Sequence, residues 1–222
     1  VTVKHVVCVP FIYRPYMEAF IATVRMGERD DVHLVAIDNT VTNYGIMASH
    51  NLGLRHAIDV GAEWFTVCSA AIRFGEPGGL DWLQALDERV DHHVVEAVGV
   101  FGWHLIAFRV DLLRIVGEWD ENFTPYGFDD IDMALRIQRA RGVDGRMEQV
   151  WEKVHVDVDD EGMGHSIHLG GVVLPPERIE EQITYFTRKW GRHPGDSHIL
   201  AFDTPFGDPN NPISYWPTPV TA

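Results

Sequence analysis

Three aspartates crowded into four positions, Asp129, Asp130 and Asp132, follow the turn-forming run Pro125-Tyr126-Gly127-Phe128. They open a stretch of helical periodicity in which Ile131, Ala134, Leu135 and Ile137 recur at three- and four-residue steps, with Gly142 where a C-terminal cap belongs. Asp129 and Asp130 therefore fall at a helix N-terminus, where unpaired backbone N–H groups favour anions. On the helix alone they read as caps, with Asp132 an exposed first-turn acid and Arg136 its i+4 partner. The aromatic turn adds a second reading. A carboxylate held at a loop–helix junction beside apolar surface is partly desolvated, which raises its proton affinity and suits it to general-base work.

The run Gly117-Glu118-Trp119-Asp120-Glu121-x-Phe123, followed by Phe128-Asp129-Asp130-Ile131-Asp132-x-x-x-Arg136, resembles the signature of family 2 glycosyltransferases. The resemblance spans roughly residues 3–142 and implies a GT-A fold and inversion at the anomeric centre. It puts Asp130 at the position of the catalytic base, with Asp129 standing where Glu is more usual. Asp129 or Asp132 would then orient the acceptor or support the fold around the base.

The elements that must position these acids begin as an alternation. Apolar runs at 3–9, 32–37 and 64–68 read as strands, and 15–26 and 46–60 read as helices closed by Gly27 and Gly61. A β-α-β-α-β order implies a parallel sheet with ligands bound beyond the carboxyl ends of its strands. That rule selects Pro10, Phe11, Asp38 and Asn39, although an acid at a strand end also serves as a turn cap. The resemblance assigns this end to the nucleotide of a sugar donor, with Asp38 accepting hydrogen bonds from uracil or ribose. The segment Gly45 to Ala57 is similar to a donor-side helix of the family, which adds His50 and Asn51; read alone, it is an amphipathic helix with small residues on a packing face.

The third strand departs from the family pattern. Where an Asp-x-Asp would hold a divalent metal on the donor diphosphate, the chain has Ser69-Ala70-Ala71, then Ile72-Arg73-Phe74. Ser69, Ala71 and Arg73 keep the aligned donor positions, and three readings follow. Cations, Arg73 with Arg14 and His50, replace the metal. Alternatively Mn or Mg is held by other ligands, for which His155, Asp157, Asp159, Asp160, His165 and His168 offer material and His165 is the first candidate. Or the chain binds a nucleotide sugar without turning it over. Twelve histidines are many, but no tight Cys/His ligand set accompanies them.

In the acceptor half, Glu76-Pro77-Gly78-Gly79 is a turn, 80–90 a helix, and 94–100 and 105–110 strands flanking Phe101-Gly102-Trp103-His104. The resemblance puts Gly102 near donor sugar and acceptor. Trp103 offers a sugar-stacking face or a core ring. A strand at 148–156 and a helix at 176–190 follow. Lys189 and Trp190 end that helix, either beside the acceptor cleft or as dipole partners.

A chain of 222 residues, 45% hydrophobic and 11% aromatic, can bury one good core. We expect a single GT-A domain over 1–190, with a nucleotide-binding half at about 1–75 and an acceptor half at 76–190. Residues 191–222, rich in Pro, Gly and Asp, form an extension strapped onto it by aromatics. A net charge of −15 argues against broad phosphate-driven nucleic-acid binding. Cys8 and Cys68 sit in apolar runs and read as buried thiols of a reducing compartment. No run approaches membrane-spanning length and no signal peptide is evident, so the expected location is cytoplasmic. The expected activity is inverting transfer from a uridine diphosphate sugar; saccharide, protein and modified nucleic-acid base remain open as acceptors.

Overall fold

The computed structural model describes residues 2–89, 91–98, 103–124, 127–140, 151–160 and 174–196. The first half alternates as β1 (His5–Phe11), α1 (Arg14–Thr23), β2 (Val32–Asp38), α2 (Ile46–Asp59) and β3 (Trp64–Cys68). It continues through β4 (Ile72–Phe74), α3 (Leu80–Asp87), β5 (Val94–Val98), β6 (Leu105–Arg109), α4 (Val110–Val116) and α5 (Asp129–Ala140). The remainder is β7 (Trp151–His155), β8 (Val158–Asp160) and α6 (Pro176–Trp190).

Six strands form one sheet in the order β2-β1-β3-β6-β5-β7. β1 pairs in parallel with both β2 and β3, and β5 with β7, while β6 runs antiparallel between β3 and β5. The sheet is thus mostly parallel, with one reversed strand. β4 and β8 make a separate antiparallel pair.

Strand periodicity divides the core between the two faces. Val6 and Cys8 of β1 point to a cluster with Leu54, Phe65, Phe108, Trp119, Met133 and Phe186, beneath α2, α4, α5 and α6. Val7 and Val9 point the other way, to Phe20, Trp64, Cys68, Trp82 and Leu83 beneath α1 and α3. Both faces being covered, the parallel strands read as unbroken apolar runs. Cys8 and Cys68 are separate buried thiols, one on each side.

Several boundaries differ from those expected. β1 continues through Pro10 to Phe11, because its pairing with β3 stops at Cys8 and the missing N–H of Pro10 is not needed on that side. α1 ends at Thr23 with Val24 as its cap, before Gly27, which lies in a separate 3-10 turn. α4, β4 and β8 were not anticipated. No helix among the described residues is long and apolar enough to cross a membrane. Gly102, His165, His168 and the extension from residue 197 onward lie outside the described residues.

Candidate functional site

The carboxyl ends of β1, β2 and β3 form one end of the site. Pro10 and Phe11 are half-buried there, and the Phe11 carbonyl accepts from the Asn39 N–H at 2.8 Å. Asp38 is exposed and faces Arg14 Nη2 at 3.4 Å. The Thr40 hydroxyl, then the Thr40 N–H at 2.8 Å, holds the Asp38 carboxyl below its ordinary value. Asn39 is buried: its amide donates to Ser49 Oγ at 2.9 Å and accepts from the Tyr44 N–H at 3.3 Å, so its side chain closes the loop into α2.

Tyr13 and Tyr16 flank this end and were missed in the sequence. Their rings meet edge to face at 5.4 Å, and the Arg73 guanidinium lies over Tyr16 at 5.5 Å. An aromatic just past the carboxyl end of a first strand was the available signal. Arg73 also donates through Nη1 to the carbonyls of Ala70 and Ile72 at 2.9 and 2.8 Å, which anchors it over the turn after β3. That turn is a serine turn: Ser69 Oγ accepts from the Ala71 N–H at 3.2 Å, and Ala70 and Ala71 are buried.

Two donor-side candidates are buried. His50 is buried edge-on to Trp119, ring centres 5.2 Å apart, and desolvation pushes its pKa down to about 3. It is neutral, which corrects its reading as a cation for a diphosphate. Asn51 is buried with both amide atoms engaged: Oδ1 accepts from the Trp119 N–H at 2.7 Å, and Nδ2 donates to the Trp119 carbonyl at 3.0 Å and to Glu121 Oε1 at 2.9 Å. It fastens α2 to the segment that leads to the acids.

The acids sit where the backbone is unusual. Gly127 has φ +117° and Phe128, a non-glycine residue, φ +60°. A bulky residue in the left-handed region is held there by its surroundings. Phe128 packs on Phe186 of α6 with ring centres 6.1 Å apart. Immediately after it, Asp129 and Asp130 are half-buried at the start of α5. The Gly127 N–H donates to Asp129 Oδ1 at 3.1 Å, and the Ile131 N–H to Asp130 Oδ1 at 2.8 Å. Burial first, and the neighbouring Asp130 charge second, push the Asp129 carboxyl up to about 7.

Asp132 is not the exposed acid expected of a first turn. It is fully buried: Oδ2 accepts from Arg136 Nε at 2.9 Å, and Oδ1 meets Lys189 Nζ at 2.6 Å and Trp190 Nε1 at 2.9 Å. Lys189 and Trp190 are themselves buried against Asp132 and present neither cation nor ring to an open cleft. Trp103 is half-buried, edge-on to Phe108 at 5.4 Å. It stands at the β3 end of the sheet, since the His104 carbonyl accepts from the Ser69 N–H at 2.8 Å.

The turn after β3 does not fit a divalent metal. Ser69 brings one hydroxyl, already engaged, and Ala70 and Ala71 bring no ligand atom. Among the described residues no three His, Cys, Asp or Glu side chains gather as a metal site.

No family model matches the sequence, and no curated protein matches it. Solved structures do match it, among them the following two. The mannosyltransferase PcManGT from Pyrobaculum calidifontis, in complex with GDP-Man and Mn2+, aligns over 89% of this chain and 68% of its own at 15% identity, TM-score 0.50. S. aureus TarS 1-349 aligns over 60% of this chain at 13% identity, TM-score 0.42; the chain spans about half of its length, 55%. The mostly parallel six-stranded sheet flanked by helices is a GT-A type fold.

Proposed function

We propose that this chain is a glycosyltransferase that moves a sugar from a nucleotide-sugar donor to an acceptor hydroxyl with inversion. The observation that carries the reading is the acid pair: a desolvated carboxyl with proton affinity near neutrality, beside a second one, at a loop–helix junction set by Phe128. Of the two, Asp129 is the carboxyl matched to holding a proton near neutral pH, and Asp130, at the base position of the resemblance, is the proton acceptor. Asp130 is the base that takes the acceptor proton as the oxygen attacks the anomeric carbon from the face opposite the leaving group. Asp129, beside it, holds a proton through the acid range, which keeps the pair from carrying two adjacent charges.

At the other end Asp38 receives the nucleotide, the Tyr13–Tyr16 pair supplies apolar ring surface, and Arg73 and Arg14 offset the departing diphosphate. The turn after β3 offers no carboxylate to a metal, so the two arginines carry this role. A uridine diphosphate donor is the first expectation. The guanosine donor bound by the neighbouring mannosyltransferase earns a place in the same test.

The test is calorimetric titration with uridine and guanosine diphosphate sugars, each with manganese, magnesium or chelator, while free nucleotide is assayed. Chelator-resistant binding of one donor, with slow nucleotide release abolished by Asp130→Asn and binding retained, supports the reading. Release abolished by Asp129→Asn but not by Asp130→Asn would exchange the two roles. No binding to any donor would sink the reading.

A further inference from the structure

α6 directs one face at the acidic segment. Gln182, Tyr185, Phe186, Lys189 and Trp190 recur at three- and four-residue steps, and each touches the stretch 120–132. Gln182 Nε2 donates to the Phe123 carbonyl at 2.9 Å, and its Oε1 lies 2.7 Å from where a Cβ on Gly127 would stand. Tyr185 OH donates to Asp120 Oδ2 at 2.7 Å, and Phe186 backs Phe128. Lys189 Nζ, fully buried, lies 2.6 Å from Asp120 Oδ2 and 2.6 Å from Asp132 Oδ1, and 5.6 and 5.9 Å from the ring centres of Phe123 and Tyr185.

Asp120 stands before the loop and Asp132 in the first turn of α5, with Asp129 and Asp130 between. One ammonium thus joins both ends of the segment that presents the acids. With Arg136 the group holds two buried cations and two buried carboxylates, so the charges cancel. Stability does not require it, since buried ion pairs are often replaceable by apolar side chains at little cost. What it does supply is geometry: a charge buried among fixed partners tolerates few arrangements.

The geometry points to Lys189 as a positioning residue: by bridging Asp120 and Asp132 it fixes the loop–helix junction that holds Asp129 and Asp130, so α6 sets the orientation of the base. This rests on the acid pair being the base of the proposed transfer. Lys189 touches neither substrate nor the reacting atoms.

The test uses the whole chain and the charge-balanced double variant Asp120→Asn/Lys189→Met, which leaves Asp132 paired with Arg136. Two readouts are taken: nucleotide release, resolved into kcat and donor KM, and titration of the Asp129 carboxyl by carbon-13 NMR. The expected result is donor KM within about twofold, kcat lower by about ten- to a hundredfold, as misplaced catalytic groups produce, and a displaced Asp129 midpoint. A folded double variant with wild-type kcat and an unmoved midpoint overturns the inference. Should it fail to fold, Tyr185→Phe and Trp190→Phe each remove one hydrogen bond from the cluster and keep a ring. An unchanged kcat and midpoint in both overturns it equally. A wild-type chain that turns over no donor counts against the transferase reading instead, and the carboxyl titration still decides whether Lys189 positions the pair.

Discussion

Asp129 and Asp132, three residues apart, meet opposite surroundings. Asp132 has three charged or polar contacts, from Arg136, Lys189 and Trp190, while Asp129 is desolvated beside a like charge. Its folded pKa of about 7 lies above an unfolded value near 3.9, so the folded state binds the proton more tightly. That contribution is fully present below the unfolded value and is lost as pH rises towards 7. Asp129→Asn should flatten the stability–pH profile between about pH 4 and 7 and raise stability above pH 7 by on the order of 2 kcal/mol, as read by urea unfolding across that range. A wild-type slope in the variant would refute the assignment. Gly127→Ala tests the junction: at φ +117° a Cβ is strained and would sit 2.7 Å from Gln182 Oε1. A loss of about 1–2 kcal/mol is expected, with reduced turnover. The acids and their helix start were legible because spacing and turn chemistry are local. The burial of Asp132 was not, since an i+4 Asp–Arg pair looks the same on an exposed helix and a sealed one.

Elements are held to one another by a few buried side chains. Asn51 of α2 serves both the N–H and the carbonyl of Trp119, itself buried, so Asn51→Ala leaves two backbone groups without this partner. A cost of about 2–3 kcal/mol is expected, measured as a shifted denaturation midpoint with unchanged slope. In the same helix a Cβ on Gly53 would stand 2.6 Å from Cys8 Sγ and 3.0 Å from Phe65. Gly53→Ala should therefore destabilise by about 1–3 kcal/mol, where a tolerant site would gain from the helix propensity of Ala. The β-α-β-α-β order and α6 were readable from periodicity. α4 was not, because seven residues of mostly apolar sequence directly after a strand do not distinguish a short helix from a longer strand.

At the scale of the molecule the Asp120–Lys189–Asp132–Arg136 group joins α6 to the middle of the chain. Burial alone would raise the Asp120 carboxyl, but the Lys189 charge, with hydrogen bonds from Lys189, Tyr185 and Asn122, outweighs it and holds the carboxyl below the ordinary range. Its contribution to stability is present above the ordinary carboxylate pKa and lost as pH falls through the depressed folded value. Asp120→Asn should cost about 3 kcal/mol at neutral pH and remove part of the acid sensitivity of unfolding. Equal acid midpoints for wild type and variant would show that other groups govern the transition.

The sequence by itself determined the alternation of elements and the place of the acid pair at a helix start. Each follows from periodicity and turn chemistry within a few residues. Only the tertiary structure decided that β6 runs antiparallel between β3 and β5, that His50 and Asn51 are interior, and that Lys189 meets two aspartates. Those facts depend on groups far apart in the chain being brought within a few ångströms, where desolvation and pairing outweigh the preferences of each residue alone.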